Sequence, residues 1–317
     1  MNLARLLCAS LASLSALASS WAAGYPAKPV ELVVAYQPGG GSDNTARAIA
    51  DAVRPIFPQT VYVVNKPGAS GSIGWSYVAT GPADGYRLVL MTPEMLVVPL
   101  MGIGKTTVDE FQPIARFTDD PSSITVRADA PWQTIQEFLA YAKANPGRVA
   151  ISNAGNGTVP HMAAAALGES AGIAFTHVPY QGSAPAIMGL LSGDVQATTV
   201  AYAELRQHVE TGKLRTLAVM SEKRIETLGQ VPTFKELGHD LLFSVWRGVG
   251  VPKGTPAEAV EKWRVAARTL SQSTEFQTTM RKQNLTPAYA DLSEFSSDVA
   301  RQGQAFKTLV PKLNLKQ

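Results

Sequence analysis

The run from Val30 to Ala35 reads as a buried strand, and after it Ala46, Ile49, Ala50 and Val53 recur at the spacing of one helix face until Arg54-Pro55 stops them. Between the two patterns stand three consecutive glycines, Gly39 to Gly41. The alternation then continues, with strands predicted at 60–65 and 86–92 around a helix at 72–80. A second series follows the segment FTDDPSS (117–123). It predicts strands at 124–126, 148–152, 175–179, 195–200 and 214–220, separated by helices at 134–144, 160–170, 183–191 and 204–210. Near 243–252 the pattern changes and a helix-rich tail begins. Its first helix is predicted to open on Thr255-Pro256-Ala257-Glu258, with threonine as N-cap, proline at the first helical position and glutamate as the reciprocal cap.

Short strands alternating with helices argue for an α/β protein with mostly parallel sheets. The periodicity leaves two arrangements open: two domains in succession, or two lobes with the tail folded back on the first. Chain crossings are expected near 117–123 and 243–247.

The start of the chain changes this picture in one respect. A single basic residue in MNLAR precedes the apolar stretch Leu6 to Ala18, and small residues surround Ser20-Trp21-Ala22. At about a dozen residues the stretch is short of the roughly 20 that span a bilayer, and it reads as a signal peptide covering 1–22. Cys8 lies at its beginning, so its removal leaves roughly 295 residues without cysteine, destined for an oxidising compartment and held together by their core. A bacterial periplasm fits. With 17% charged residues and a formal net charge of +3, and no Lys/Arg run, nothing in the composition supports nucleic-acid binding.

Three glycine-rich stretches sit at strand-to-helix junctions: YQPGGGSD (36–43), NKPGASGSIG (65–74) and SNAGNGTVPHM (152–162). Glycines 39, 40 and 41 let backbone approach a ligand, Ser42 or Asp43 can cap the next helix, and the free N–H groups of its first turn favour an anion. Asp43 suits such a site only if its oxygens turn onto backbone N–H groups. An ordinary tight turn would also use one glycine, but three such loops at the carboxyl ends of strands match where open α/β sheets bind ligands. Ser70, Ser72, Asn156, Gly157 and Thr158 supply polar groups there. Tyr36, Thr92, Tyr180 and Tyr202 follow or end strands, and of these Tyr36 and Tyr180 adjoin the loops.

Other chemistry is poorly represented. GIGKTT (102–107) imitates the end of a phosphate loop, yet Pro99 stands where its first glycine belongs. There is no GxSxG elbow, and His161, His177, His208 and His239 show no metal-ligand spacing. No cofactor or metal is expected. His177 and Trp246 read as packed side chains.

Taken together, YPAKPVELVVAYQPGGGSD (25–43), VVNKPGASGSIG (63–74), PADGYRLVLMT (82–92), YQGSAPAIMGLLSGDVQ (180–196), GKLRTLAV (212–219), VPTFKELG (231–238) and WRGVGVPKGTP (246–256) resemble the Bug/TctC extracytoplasmic solute receptors of tripartite tricarboxylate transport systems. The resemblance covers nearly the whole chain after the signal peptide. It implies an α/β, two-lobed periplasmic binding-protein fold, type II-like, with two sheets flanked by helices and a ligand cleft between the lobes. Lobe 1 would comprise 23–120 and 246–317, and lobe 2 would comprise 121–245.

The resemblance also implies a receptor, not an enzyme, that holds a small carboxylate and delivers it to permease subunits or a sensor kinase; nothing in the sequence suggests more than a monomer. Carried over by position, the ligand contacts would be Tyr36 to Asp43, Ser70 and Ser72 on one side and Gly155 to Thr158 with His161 on the other. Two departures bear on the ligand. The family pattern often has an aspartate where this chain has Val200, in TTVAYAE (198–204), and Gln37 replaces a frequent proline or phenylalanine. The missing aspartate argues against an amino-acid ligand and for a plain or aromatic organic acid. A phosphonate or sulfonate receptor of the same fold, and a secreted hydrolase using His161 with a serine, are the competing readings.

Overall fold

The computed structural model describes residues 24–313, so the predicted signal peptide lies outside the described residues. Strand β1 (Val30–Val34) is buried on both faces. Val30, Leu32 and Val34 enter one core with Ile49 of α1 (Gly41–Ala52) and Val53 just after it, whereas Val33 enters the other with Trp75 and Val78 of α2 (Ser72–Ala79). The two-residue period of a strand thus serves two helix layers.

Six strands form the first sheet: β1, β2 (Val61–Asn65), β3 (Arg87–Met91), β4 (Phe111–Pro121), β10 (Ser244–Pro252) and β11 (Pro287–Ala290), in the order β11-β4-β10-β3-β1-β2. The second is built from β5 (Ser123–Arg127), β6 (Ala150–Asn153), β7 (Thr176–Pro179), β8 (Ala197–Thr198) and β9 (Leu214–Val219), in the order β7-β6-β8-β5-β9. Helix α3 (Glu94–Val97) follows β3. Helices α4 (Ile135–Ala144), α5 (Val159–Ala171), α6 (Ser183–Ser192) and α7 (Tyr202–Glu210) belong to the second series. The tail supplies α8 (Ala257–Gln272), α9 (Thr274–Lys282) and α10 (Leu292–Leu309). Trp263 and Phe276 join the core beneath α1, and Phe295 joins the core on the other face.

Three expectations need correction. The sheets are mixed, because β10 lies antiparallel between β3 and β4, and β5 runs antiparallel to both β8 and β9. Strand β4 runs straight through Thr118-Asp119-Asp120, which has the composition of a loop. The reason is that Asp120 accepts from the Arg247 guanidinium and from the Thr286 amide at 2.9 Å, so its charge is partnered inside the sheet. The cap predicted at Thr255 does not form. The Thr255 hydroxyl donates to the Pro252 carbonyl at 2.8 Å, Pro256 takes the cap position, and Glu258 accepts from the Tyr25 amide at 3.2 Å.

Candidate functional site

A cavity of about 490 Å³ lies between the sheets, within the roughly 300–1,000 Å³ usual for small-molecule sites. Its walls come from the loop before α1, the loop before α2, the loop before α5, and the turn at 179–185 that opens α6.

In the first wall Gly40 is the N-cap of α1, and the first intrahelical bond is Asn44 N–H to the Gly40 carbonyl at 3.0 Å. The amides of Gly41, Ser42 and Asp43 therefore precede the helical ladder and have no acceptor among the described residues. The Gly39 amide is different, because it donates to Asp43 Oδ2 at 3.0 Å. Asp43 also accepts from Arg47 Nε at 2.9 Å and from Asn65 Nδ2 at 3.0 Å. Burial alone would raise its pKa, but these bonds outweigh it and hold the carboxyl below its ordinary value. Asp43 is thus spent on bracing the loop, as a helix-start aspartate beside an anion site must be.

The second wall has a stranger backbone. Ala69 and Ser70 adopt left-handed conformations, with φ of 46° and 52°, inside the short 3-10 turn Ala69–Gly71; its first bond is Gly71 N–H to the Gly68 carbonyl at 3.0 Å, so the Ala69 and Ser70 amides precede it and have no acceptor among the described residues. Ser70 Oγ reaches across the gap to the Asn156 carbonyl at 2.9 Å. Most amides of the third wall are already satisfied. Gly155 N–H donates to Asn153 Oδ1 at 3.0 Å, Gly157 N–H to His161 Nδ1 at 3.1 Å, and Val159 N–H to Glu94 Oε1 at 3.2 Å. Glu94 directly follows β3 of the first sheet, so one side of the cavity caps a helix of the other. Its Oε2 accepts from the Tyr36 hydroxyl at 3.2 Å.

The predicted residues therefore divide. Tyr36, Gln37, Gly40, Gly41, Ser42, Ser70, Asn156, Thr158 and Tyr180 line the cavity. Gly39, Asp43, Ser72, Thr92, Gly157, His161 and Tyr202 do not. Ser72 packs against Gly104, and Thr92 sits beneath Tyr36, 2.9 Å from its hydroxyl. Gly157 faces Met101 across the gap. His161 turns its ring back onto the Gly157 amide. To accept that bond at Nδ1 it must be neutral, and burial together with neighbouring His177 lowers its pKa to about 4. Tyr202 is buried at the first turn of α7, where residues two apart point to opposite sides. Glu204, two residues on, is the one that reaches the cavity.

Five contributors lie outside the sequence-based expectations. Ser183 and Ala184 open α6 behind Gly182, a third free helix start on the cavity wall, legible in principle from Gly-Ser before an apolar helix. Glu94 and Glu204 are the other acidic lining groups. Arg247 is the most consequential. It rises from β10 at 2% exposure, pairs with Asp120, donates from Nη2 to Glu204 Oε1 at 2.6 Å, and places Nε 3.3 Å from Ser42 Oγ. Burial pulls against its charge, but Glu204 and Asp120 more than compensate and keep it protonated. The same burial pushes Asp120 up to about 6, against the opposing pull of Arg247 and Thr286. An arginine within the otherwise apolar run SVWRGVGVP was the available signal. Among the described residues no cluster of His, Cys, Asp and Glu is suited to a metal ion, and no helix is long and apolar enough to cross a membrane.

Two helix-flanked sheets facing a polar cavity, with helix starts aimed into it, define the class: a two-lobed α/β solute-binding protein. The chain belongs to the tripartite tricarboxylate transporter family of receptors, TctC, whose family model matches residues 45–315. A TctC solute-binding protein from Polaromonas, solved without ligand, is 45% identical, with a TM-score of 0.75 over 91% of this chain and 99% of that one. The periplasmic binding protein BugD is 32% identical with a TM-score of 0.83, over 92% and 99%. An R. palustris protein solved with adipate is 27% identical with a TM-score of 0.84, over 91% and 98%. The family is one of periplasmic substrate-binding receptors.

Proposed function

We propose that this protein captures a small organic acid in the interlobe cavity and hands it to a membrane permease or a sensor. The observation that carries the reading is the set of amides at Gly41, Ser42, Ala69, Ser70, Ser183 and Ala184 that find no acceptor among the described residues, contributed from both sides of one gap. Hydrogen bonds to a charged group contribute about 1.5 to 3 kcal/mol each, so three or four approach the ~8 kcal/mol of micromolar binding. The adipate held by a 27% identical relative supports a carboxylate over other oxyanions.

Closure would turn on the two chain crossings, with 23–120 and 246–317 as one lobe and 121–245 as the other. The strand membership of the two sheets supports that division. The acid favours the closed form because only there do amides from both lobes reach it. Binding is saturable and without turnover. Calorimetry on refolded, ligand-free protein tests this with a panel of mono-, di- and tricarboxylic acids beside phosphate and a sulfonate. At least one carboxylate should bind in the micromolar range and not be displaced by phosphate or the sulfonate. Tighter binding of phosphate or the sulfonate than of every carboxylate would overturn the reading.

A further inference from the structure

We infer that Glu204 is a tethered stand-in for the ligand's acid group, holding the ligand-free cleft shut and setting which acids can enter. The inference rests on the receptor reading above. Glu204 belongs to the second lobe, yet its Oε1 lies 2.6 Å from Nη2 of Arg247 in the first. It also sits 3.0 Å from where a Cβ on Gly41 would project, at the very start of α1. A side-chain carboxylate of one lobe thus occupies the place where guanidinium and helix start converge in the other.

Charge arithmetic separates this from an ordinary structural ion pair. Arg247 already has a partner in Asp120, which is wholly buried behind it and bonded to the opposite nitrogen. Glu204 is not needed to neutralise it. Glu94, which also lines the cavity, adds a further negative group. With three carboxylates around one guanidinium, another anion joins only at the cost of like-charge repulsion in a partly desolvated site. A ligand acid that instead displaces Glu204 leaves the net charge of the cluster unchanged. Glu204 is the member able to leave, because it stands on the cavity wall whereas Asp120 is enclosed in the sheet. The exchange is neutral for one acid group and unfavourable for a second facing Glu94, so it selects monocarboxylic acids.

The latch is tested without ligand by small-angle X-ray scattering of the wild type beside Glu204→Gln and Glu204→Ala, with acetate titrated afterwards as a bare carboxylate probe. Both variants should show a larger radius of gyration than the wild type. Glu204→Gln should bind acetate at least about tenfold more tightly, one decade in dissociation constant. Variants that scatter as the wild type does, or an unchanged acetate affinity in Glu204→Gln, would overturn the inference. The receptor reading fails separately: if the variants open but neither acetate nor any acid of the panel binds the wild type or a variant, the latch stands as a contact and the carboxylate assignment falls with the exchange built on it.

Discussion

Arg247→Met should lower the unfolding free energy by about 3 to 5 kcal/mol at pH 7.5, the usual cost of leaving one member of a buried ion pair without its partner. The residue left behind is Asp120, fully enclosed in β4 and already raised to about 6 with the guanidinium in place. Without Arg247 its pKa rises further. The pH dependence has a definite sign. A carboxyl whose folded pKa lies above its unfolded value of about 3.9 adds stability at low pH that is lost as pH climbs through the folded value. The penalty in Arg247→Met should therefore shrink between pH 7.5 and pH 5. Asp120→Asn added to Arg247→Met should restore most of the loss, since it removes the stranded charge. Urea unfolding of the two variants and the wild type at both pH values checks all three statements. An Arg247→Met protein as stable as the wild type at pH 7.5 would mean that the cluster is not buried as described.

The second large effect is on binding. Gly41→Ala should weaken carboxylate affinity by about a hundredfold, the equivalent of one or two hydrogen bonds to a charged group. A Cβ at Gly41 would lie 2.4 Å from Arg247 Nη2, 2.7 Å from its Cζ and 3.0 Å from Glu204 Oε1, so it forces the guanidinium away from the place assigned to the acid. The backbone tolerates it, because Gly41 is the first residue of α1 and its conformation is an ordinary helical one. Gly303→Ala, inside α10 and away from the cavity, is the control. Its Cβ would meet Leu96 at an ordinary 3.4 Å, and its affinity should stay within a few-fold of the wild type. Calorimetry with the tightest acid of the panel reads both, and equal losses in the two variants would show that the effect is not steric.

The legible parts of the site were local ones. Gly39 to Gly41 follow an apolar strand and precede a helical period, so the helix start and its free amides could be placed from a dozen residues. The buried polar cluster was not local. Asp120, Glu204 and Arg247 come from three elements that meet only because β10 inserts antiparallel beside β4 and α7 packs across the gap. No short-range period encodes that. Asp119-Asp120 imitated a turn for the same reason: its partners are distant in the chain. His161 lies outside the cavity lining for a different reason. The family resemblance alone suggested it as a contact, and helix phase returns its ring to the Gly157 amide, closing the loop on itself. The third glycine loop is consequently the least open of the three, and the start of α6 supplies the free amides expected there.

The central claim is that unpaired main-chain amides receive the acid. Amide chemical shifts of nitrogen-15-labelled protein, followed during titration with the tightest carboxylate of the panel, test it most directly. Gly41, Ser42 and Ser70 should move farthest and saturate together with the calorimetric binding curve. Saturation of binding with those three resonances unmoved, and the shifts gathered at some other surface, would contradict it.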